Sequence, residues 1–247
     1  MAITEPAVQT TLLEPTPPPG DVMDLAAVLD SIVHAMRQLA PGTHVGISVA
    51  NSAGTFDTLA GTGPLVFALD DIQYHLDEGP CLTAIREDHT VIIDDAESEH
   101  RWAKFMPRAA DLGLCSYLGV SITVDGKPVG GLNLYSTTRT RLDADRLAHA
   151  KLFAAQAALA MAYAQRESNL RQALQTSRTI GKAIGLVMER VDFDDEEAFG
   201  YLARLSQRTN IKLREIAAHL VRQSNELRHC RSDAQPPDEQ GSLPTTR

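Results

Sequence analysis

Apolar residues recur at helical spacing near the start of the chain, where Val22, Leu25, Val28, Leu29, Ile32 and Met36 make one stripe that Pro41-Gly42 stops. Two short β-type runs follow in "THVGISVANSAGTFDTLAGTG", and the turn signal Asn51 to Gly54 between them predicts a hairpin. A helical pattern covers residues 65 to 76, and "GPCLTAIRE" places Pro80 at the first position of a short helix. The β-branched run "TVIIDD" reads as a strand. "SYLGVSITV" and "VGGLNLYS" then flank Asp125-Gly126, a strong two-residue hairpin signal. From about Leu142 the pattern turns helical for almost fifty residues with no proline and only two glycines, Gly181 and Gly185. Two shorter helices are predicted after it. Asp194 with Glu197 three residues on is a capping-box analogue, and Ala198, Tyr201, Leu202 and Leu205 form the apolar face behind it. Asn210 reads as the N-cap of the last helix, whose core face is Leu213, Ile216, Ala217, Leu220 and Val221.

Strands followed by helices around an antiparallel sheet define an α+β fold class for residues 21–165. Residues 166–177 read as a helical coiled-coil link. Leu170, Leu174, Ser177, Gly181, Ile184, Met188 and Val191 keep alternating spacings of four and three, although Ser177 and Gly181 are poor seam residues, and a plain intramolecular packing helix is the alternative. Residues 178–228 form a small three-helix bundle. On its first helix Ile180, Ile184, Val187, Met188 and Val191 share the apolar stripe, opposite Arg178, Lys182, Gly185 and Glu189. A Pro-rich lead at 1–20 and a polar tail at 229–247 are expected to be disordered.

Composition changes this picture mainly through charge. The chain of 247 residues is 43% hydrophobic, enough for a sizeable core, with a net charge of −9 that argues against a wholly basic surface. The charge is uneven. Residues 166 to 230 hold 11 basic and 9 acidic side chains, against 12 and 23 in the remainder. No signal-like start and no apolar run near 20 residues are present, so a cytoplasmic protein without a membrane span is expected. Cys81, Cys115 and Cys230 form no CxxC pair and fit a reducing compartment. No metal-ligand spacing, P-loop or catalytic triad order is found, so no metal site and no enzyme are expected, and no cofactor is indicated.

"DEGPCLTAI", "VIIDD", "GLCSYLGVSITVDGKPVGGLNLYS" and the Ala-rich helix "AAQAALAMAYA" together resemble a GAF domain over most of residues 21–165. The resemblance implies a sensing module for a small molecule or a redox signal, often acting as a dimerising regulator. Within it Cys81 and Cys115 are the candidate redox or ligand residues. In the first turn of a helix the dipole favours a thiolate at Cys81, yet Cys81, Ala84 and Ile85 share one face, which favours a buried, inert thiol. Trp102 reads as core or as a pocket lid.

"RTIGKAIGLVMERVDFDDEEAFGYLARLSQRTNIKLREIAAHLV" resembles an ANTAR domain over almost its whole length. That resemblance implies an RNA-binding, homodimeric transcription antitermination regulator that takes tandem hairpins in leader transcripts. The RNA-facing candidates are Arg178, Lys182, Gly185, Arg204, Arg208, Lys212 and Arg214, with Gly185 serving either close approach or helix packing. Tyr201 and Phe199 are placed to stack on bases, although Tyr201 lies on the apolar stripe and reads as core. Many family members carry a basic residue directly before the glycine of the first helix; here that place is Ile184, and the lysine lies two positions earlier at Lys182. A helix-turn-helix DNA-binding regulator and a ligand-sensing dimer without nucleic acid remain as alternatives.

Overall fold

The computed structural model describes residues 24–51, 53–139 and 143–232, the last six by backbone alone. The lead at 1–20, Val22 and the tail from 233 lie outside the described residues, as do Ser52 of the first hairpin turn and Leu142. The chain divides between Gln165 and Arg166 into two compact units.

The first unit opens with α1 (Leu25–Leu39), whose N-cap Asp24 accepts the backbone N–H groups of Ala26 and Ala27. Strands β1 (Thr43–Ala50) and β2 (Phe56–Gly61) pair antiparallel, as the turn signal at Asn51 predicts. Helices α2 (Pro64–Leu76) and α3 (Pro80–Arg86) each carry proline in the first turn, where no hydrogen bond is lost. Then come β3 (Val91–Ile93), a single 3-10 turn (Ala96–Ser98), α4 (Phe105–Asp111), β4 (Ser116–Val124) and β5 (Lys127–Ser136). Asp125 and Gly126 both take positive φ, which the two-residue β4–β5 turn requires. The resulting antiparallel sheet has the order β2-β1-β5-β4-β3.

Strand periodicity gives this sheet two chemically different faces. Val45, Ile47, Leu118, Val120, Ile122, Leu132 and Leu134 point to one side. There they pack against Leu29, Ile32, Val33 and Met36 of α1, and against Ala150, Phe153, Ala154, Ala157 and Met161 of α5 (Ala144–Val191). Their strand neighbours Ser48, Tyr117, Asn133 and Tyr135 point to the other side, beneath α2 and α3. That side also holds an apolar cluster of Val66, Leu69, Val91, Ile93, Trp102 and Phe105. Trp102 is thus core, with its indole N–H donating to the Thr83 hydroxyl at 3.0 Å.

The second unit contains the later part of α5, then α6 (Asp195–Thr209) and α7 (Leu213–Ser232). Ala183, Val187, Ala198, Leu202, Ile216 and Ala217 form its centre, with Ile180, Ile184, Met188, Leu205, Leu213 and Leu220 packed around them. The capping box is formed: Glu197 N–H donates to Asp194 Oδ1 at 2.8 Å, and Asp194 N–H to Glu197 Oε2 at 3.1 Å.

Four expectations in this unit need correction. Asn210 is the C-cap of α6, in the left-handed region at φ 55°, and not the N-cap of α7. Asparagine tolerates that conformation as a helix terminator, and the Lys212 carbonyl instead accepts the N–H groups of Glu215 and Ile216. Val191 ends α5 exposed, and the small Ala183 takes the central place on the stripe. Tyr201 is also exposed, touching Phe193 edge-on at 6.2 Å between centroids. Finally, α7 continues to Ser232, so residues 229–232 of the expected disordered tail are helical.

Candidate nucleic-acid interface

Ala183, Val187 and Ile180 turn one side of α5 toward α6 and α7. The neighbouring side carries Lys182, Gly185 and Glu189, which with Leu186, Val221, Ser224 and Asn225 line an open groove of about 390 Å³ between α5 and α7. A Cβ added at Gly185 would meet nothing within 4 Å, so packing within the chain does not require glycine there. The groove floor at that point is bare helix backbone, open to close approach. Ile184, the departure noted before Gly185, is partly buried against the bundle core and is unavailable as a substitute for a surface cation. Lys182 therefore supplies the positive charge of this groove.

The other basic candidates fall in different places. Arg214 lies in a second α5–α7 groove of about 400 Å³, opposite Gln175, Thr176 and Thr179 and beside Arg222. Among the described residues it has one loose ion pair, to Glu215 at 4.0 Å with both side chains half exposed, and such a pair contributes little. Arg178 is exposed on α5 outside both grooves, and Lys212 is exposed at the turn before α7. Arg204 and Arg208 are exposed on α6, with the Arg204 guanidinium lying near Gly200. The structure thus brings Lys182 to Gly185 and Arg214 to Arg222, and neither groove is lined by Arg204 or Arg208. Phe199 and Tyr201 are both exposed on α6.

The sensor-side candidates sit in a different setting. Cys81 is fully buried beneath the polar sheet face; its thiol donates to Ser48 Oγ at 3.4 Å and accepts from Asn133 Nδ2 at 3.1 Å. Burial, aided by the charge of Asp70, pushes this thiol up to about 12, and those two hydrogen bonds offset only part of that. Loss of water outweighs the first-turn dipole of the seven-residue α3, so Cys81 is a thiol at neutral pH. Cys115 is partly exposed and donates to the Thr137 carbonyl at 3.2 Å. Alkylation of the folded protein at pH 8, mapped by peptide mass, is expected to modify Cys115 and to leave Cys81 untouched until denaturant is added. Rapid native labelling of Cys81 would contradict the burial argument.

Sequence reasoning missed the group at the centre of this cluster. Asp70 of α2 is fully buried, with no basic partner among the described residues. Its Oδ1 accepts from the Tyr135 hydroxyl; its Oδ2 accepts from Thr58 Oγ1 at 2.7 Å and Ser48 Oγ at 3.3 Å. Gln73 ties the set together, donating to Tyr135 at 2.9 Å and accepting the Cys81 N–H at 2.8 Å. Gly79 and Gly119 make room for it, because a Cβ on either would run into the Gln73 or Tyr117 side chain. Burial raises the Asp70 carboxyl to about 6 against the pull of its hydrogen-bond donors.

Residues 22–162, more than half of the chain, match the family model of the GAF domain. The chain belongs to the GAF domain family. Residues 168–221 match the model of the ANTAR domain, which gives a GAF–ANTAR architecture with the two domains in that order. Among curated proteins none matches the chain. Among solved structures, a domain of a protein described as a two-component sensor histidine kinase of Sinorhizobium meliloti 1021 is similar at 14% identity and a TM-score of 0.51, over 59% of this chain and 96% of that one. The GAF3 domain of Slr1393 from Synechocystis sp. PCC6803, in its photoproduct state, is similar at 15% identity and a TM-score of 0.50, over 59% and 98%. These likenesses support the GAF fold alone. The polar cluster around Asp70 lies inside the GAF domain, and both grooves lie inside the ANTAR domain apart from Arg222, Ser224 and Asn225 of α7. No helix among the described residues is long and apolar enough to cross a membrane.

Proposed function

We propose that this GAF–ANTAR protein is a cytoplasmic RNA-binding regulator of transcription antitermination, acting by binding rather than by catalysis. A homodimer takes tandem hairpins of nascent leader transcripts, and its GAF domain receives the controlling signal. The observation that carries the reading is the ANTAR match over 168–221, a segment of three helices in which every lysine and arginine is exposed. Lys182 beside Gly185, and Arg214 beside Arg222, offer cations next to open groove space, which suits phosphates and splayed loop bases. Arg178, Arg204, Arg208 and Lys212 add positive charge around the same unit.

Dimerisation has support on α5 itself. Leu170 and Leu174 are more than half exposed, and at about 100° per residue they lie across the helix from the face that meets α7. Exposed leucines at this spacing suit a short two-stranded seam, which stops before Ile184 and Met188, since those two pack against their own bundle core. Transcripts recovered bound to the protein from cells test the reading as a whole. Enrichment of paired hairpins that overlap terminators is the expected result; recovery of RNA with no shared hairpin arrangement would overturn it.

A further inference from the structure

The face of α5 that carries Ala183 and Val187 into the bundle core continues toward the N-terminus through Thr179, Thr176, Gln175 and Gln172. These four occupy the spacing i, i+3, i+4 and i+7, which on a packing helix is an apolar stripe. Here every one is an amide or a hydroxyl. Across from them α7 presents Arg214, Ala218 and Arg222 in a single row, and the small Ala218 leaves the space between the helices open at about 400 Å³. Gln172 and Gln175 make no side-chain hydrogen bond to described residues, and Arg222 has no ion pair among them. The Thr179 hydroxyl donates to its own helix at the Gln175 carbonyl, so toward the groove it can only accept.

We infer that this groove is the base-reading site of the protein and takes one unstacked nucleotide of an RNA hairpin loop; the inference rests on the RNA-binding reading above. Two features select a nucleotide over a bare anion. The carboxamides of Gln172 and Gln175 present donors and acceptors together, as a base edge demands, and the Glu215 carboxylate at the rim accepts from amino groups but repels a free phosphate. Arg214 and Arg222 then have distinct roles, holding the adjoining phosphate and stacking on the base. The volume also suits a small ligand, inside the range of about 300–1,000 Å³ usual for such sites. Lys182 and the outlying arginines position the RNA without reading it.

The test uses the full chain and a pool of RNA hairpins with one stem and a fully randomised loop. The native protein is expected to enrich a subset of loops. In Gln172→Ala/Gln175→Ala the preference at one loop position flattens, and affinity for the best native loop falls about 10- to 100-fold. The dependence of binding on salt stays unchanged, because no charge has been removed. Gln207→Ala/Gln223→Ala, two exposed glutamines outside the groove, is expected to leave enrichment intact. An unaltered loop preference in Gln172→Ala/Gln175→Ala, with salt-dependent binding retained, would overturn the groove assignment and leave the RNA reading standing. No binding of any hairpin by the native protein would overturn both.

Discussion

Changing Lys182 and Arg214 together to glutamate is expected to weaken binding to a two-hairpin RNA by at least about 100-fold, since each substitution removes a charge-assisted contact and adds a repulsive charge. Each of the two residues lines its own α5–α7 groove, and neither is held by a strong ion pair among the described residues. Both side chains are exposed, so the fold is expected to survive, with an unchanged far-UV circular dichroism spectrum. The salt dependence should also flatten. Each lost phosphate contact removes roughly 0.7 to 0.9 from the slope of log K against log salt. Unchanged affinity in the double variant would show that the RNA lies against another face, with Arg204 and Arg208 of α6 the next to test.

The second large effect concerns the GAF interior. Asp70 is expected to make the stability of this domain fall as pH rises from about 4 to about 6. Its carboxyl moves from an ordinary 3.8 to about 6 on folding, so between those values the native state keeps a proton that the unfolded chain has lost. Unfolding then releases a proton, and raising the pH favours it. Below about pH 4 the contribution is fully present; above about pH 6 it is gone and the buried carboxylate is a constant cost. At 1.36 kcal/mol per pH unit the swing is roughly 3 kcal/mol. Asp70→Asn removes the titration while keeping the size and one acceptor oxygen. Denaturant melts of the native protein and of this variant, at intervals from pH 4 to 7.5, check it: the native curve should fall over that window relative to the variant's. Parallel curves would mean that Asp70 keeps an ordinary pKa.

Elements with strong local signals were legible in the sequence. The Asp125-Gly126 hairpin, the Pro80 helix start and the Asp194–Glu197 box all carry their own turn or cap chemistry, and all form. Helix α4 does not announce itself. It has seven residues, no side-chain cap and a proline at its third position, and it is held by burial of Phe105, Met106 and Ala109. At Asn210 the sequence is ambiguous, because asparagine suits both ends of a helix and only the left-handed backbone angle separates the two roles.

The interior of the GAF domain also carries a signal in the sequence. Val66, Leu69, Asp70 and Gln73 share the buried face of α2 at i, i+3, i+4 and i+7, so two polar residues stand where an apolar stripe belongs. The same departure marks Gln172, Gln175, Thr176 and Thr179 on α5. Residue type alone did not sort the seven basic or small RNA candidates, since arginine and lysine are exposed on any helix. Their grouping depends on which flank of α7 packs against α5, and no local pattern encodes that.

Binding of the 247-residue chain to a two-hairpin RNA, measured at increasing salt beside duplex DNA of matched length, is the decisive test of RNA recognition. The RNA is expected to bind more tightly at every salt concentration, with log K falling linearly with log salt. Equal or tighter binding of the DNA duplex, or RNA binding too weak to measure at low salt, would contradict it.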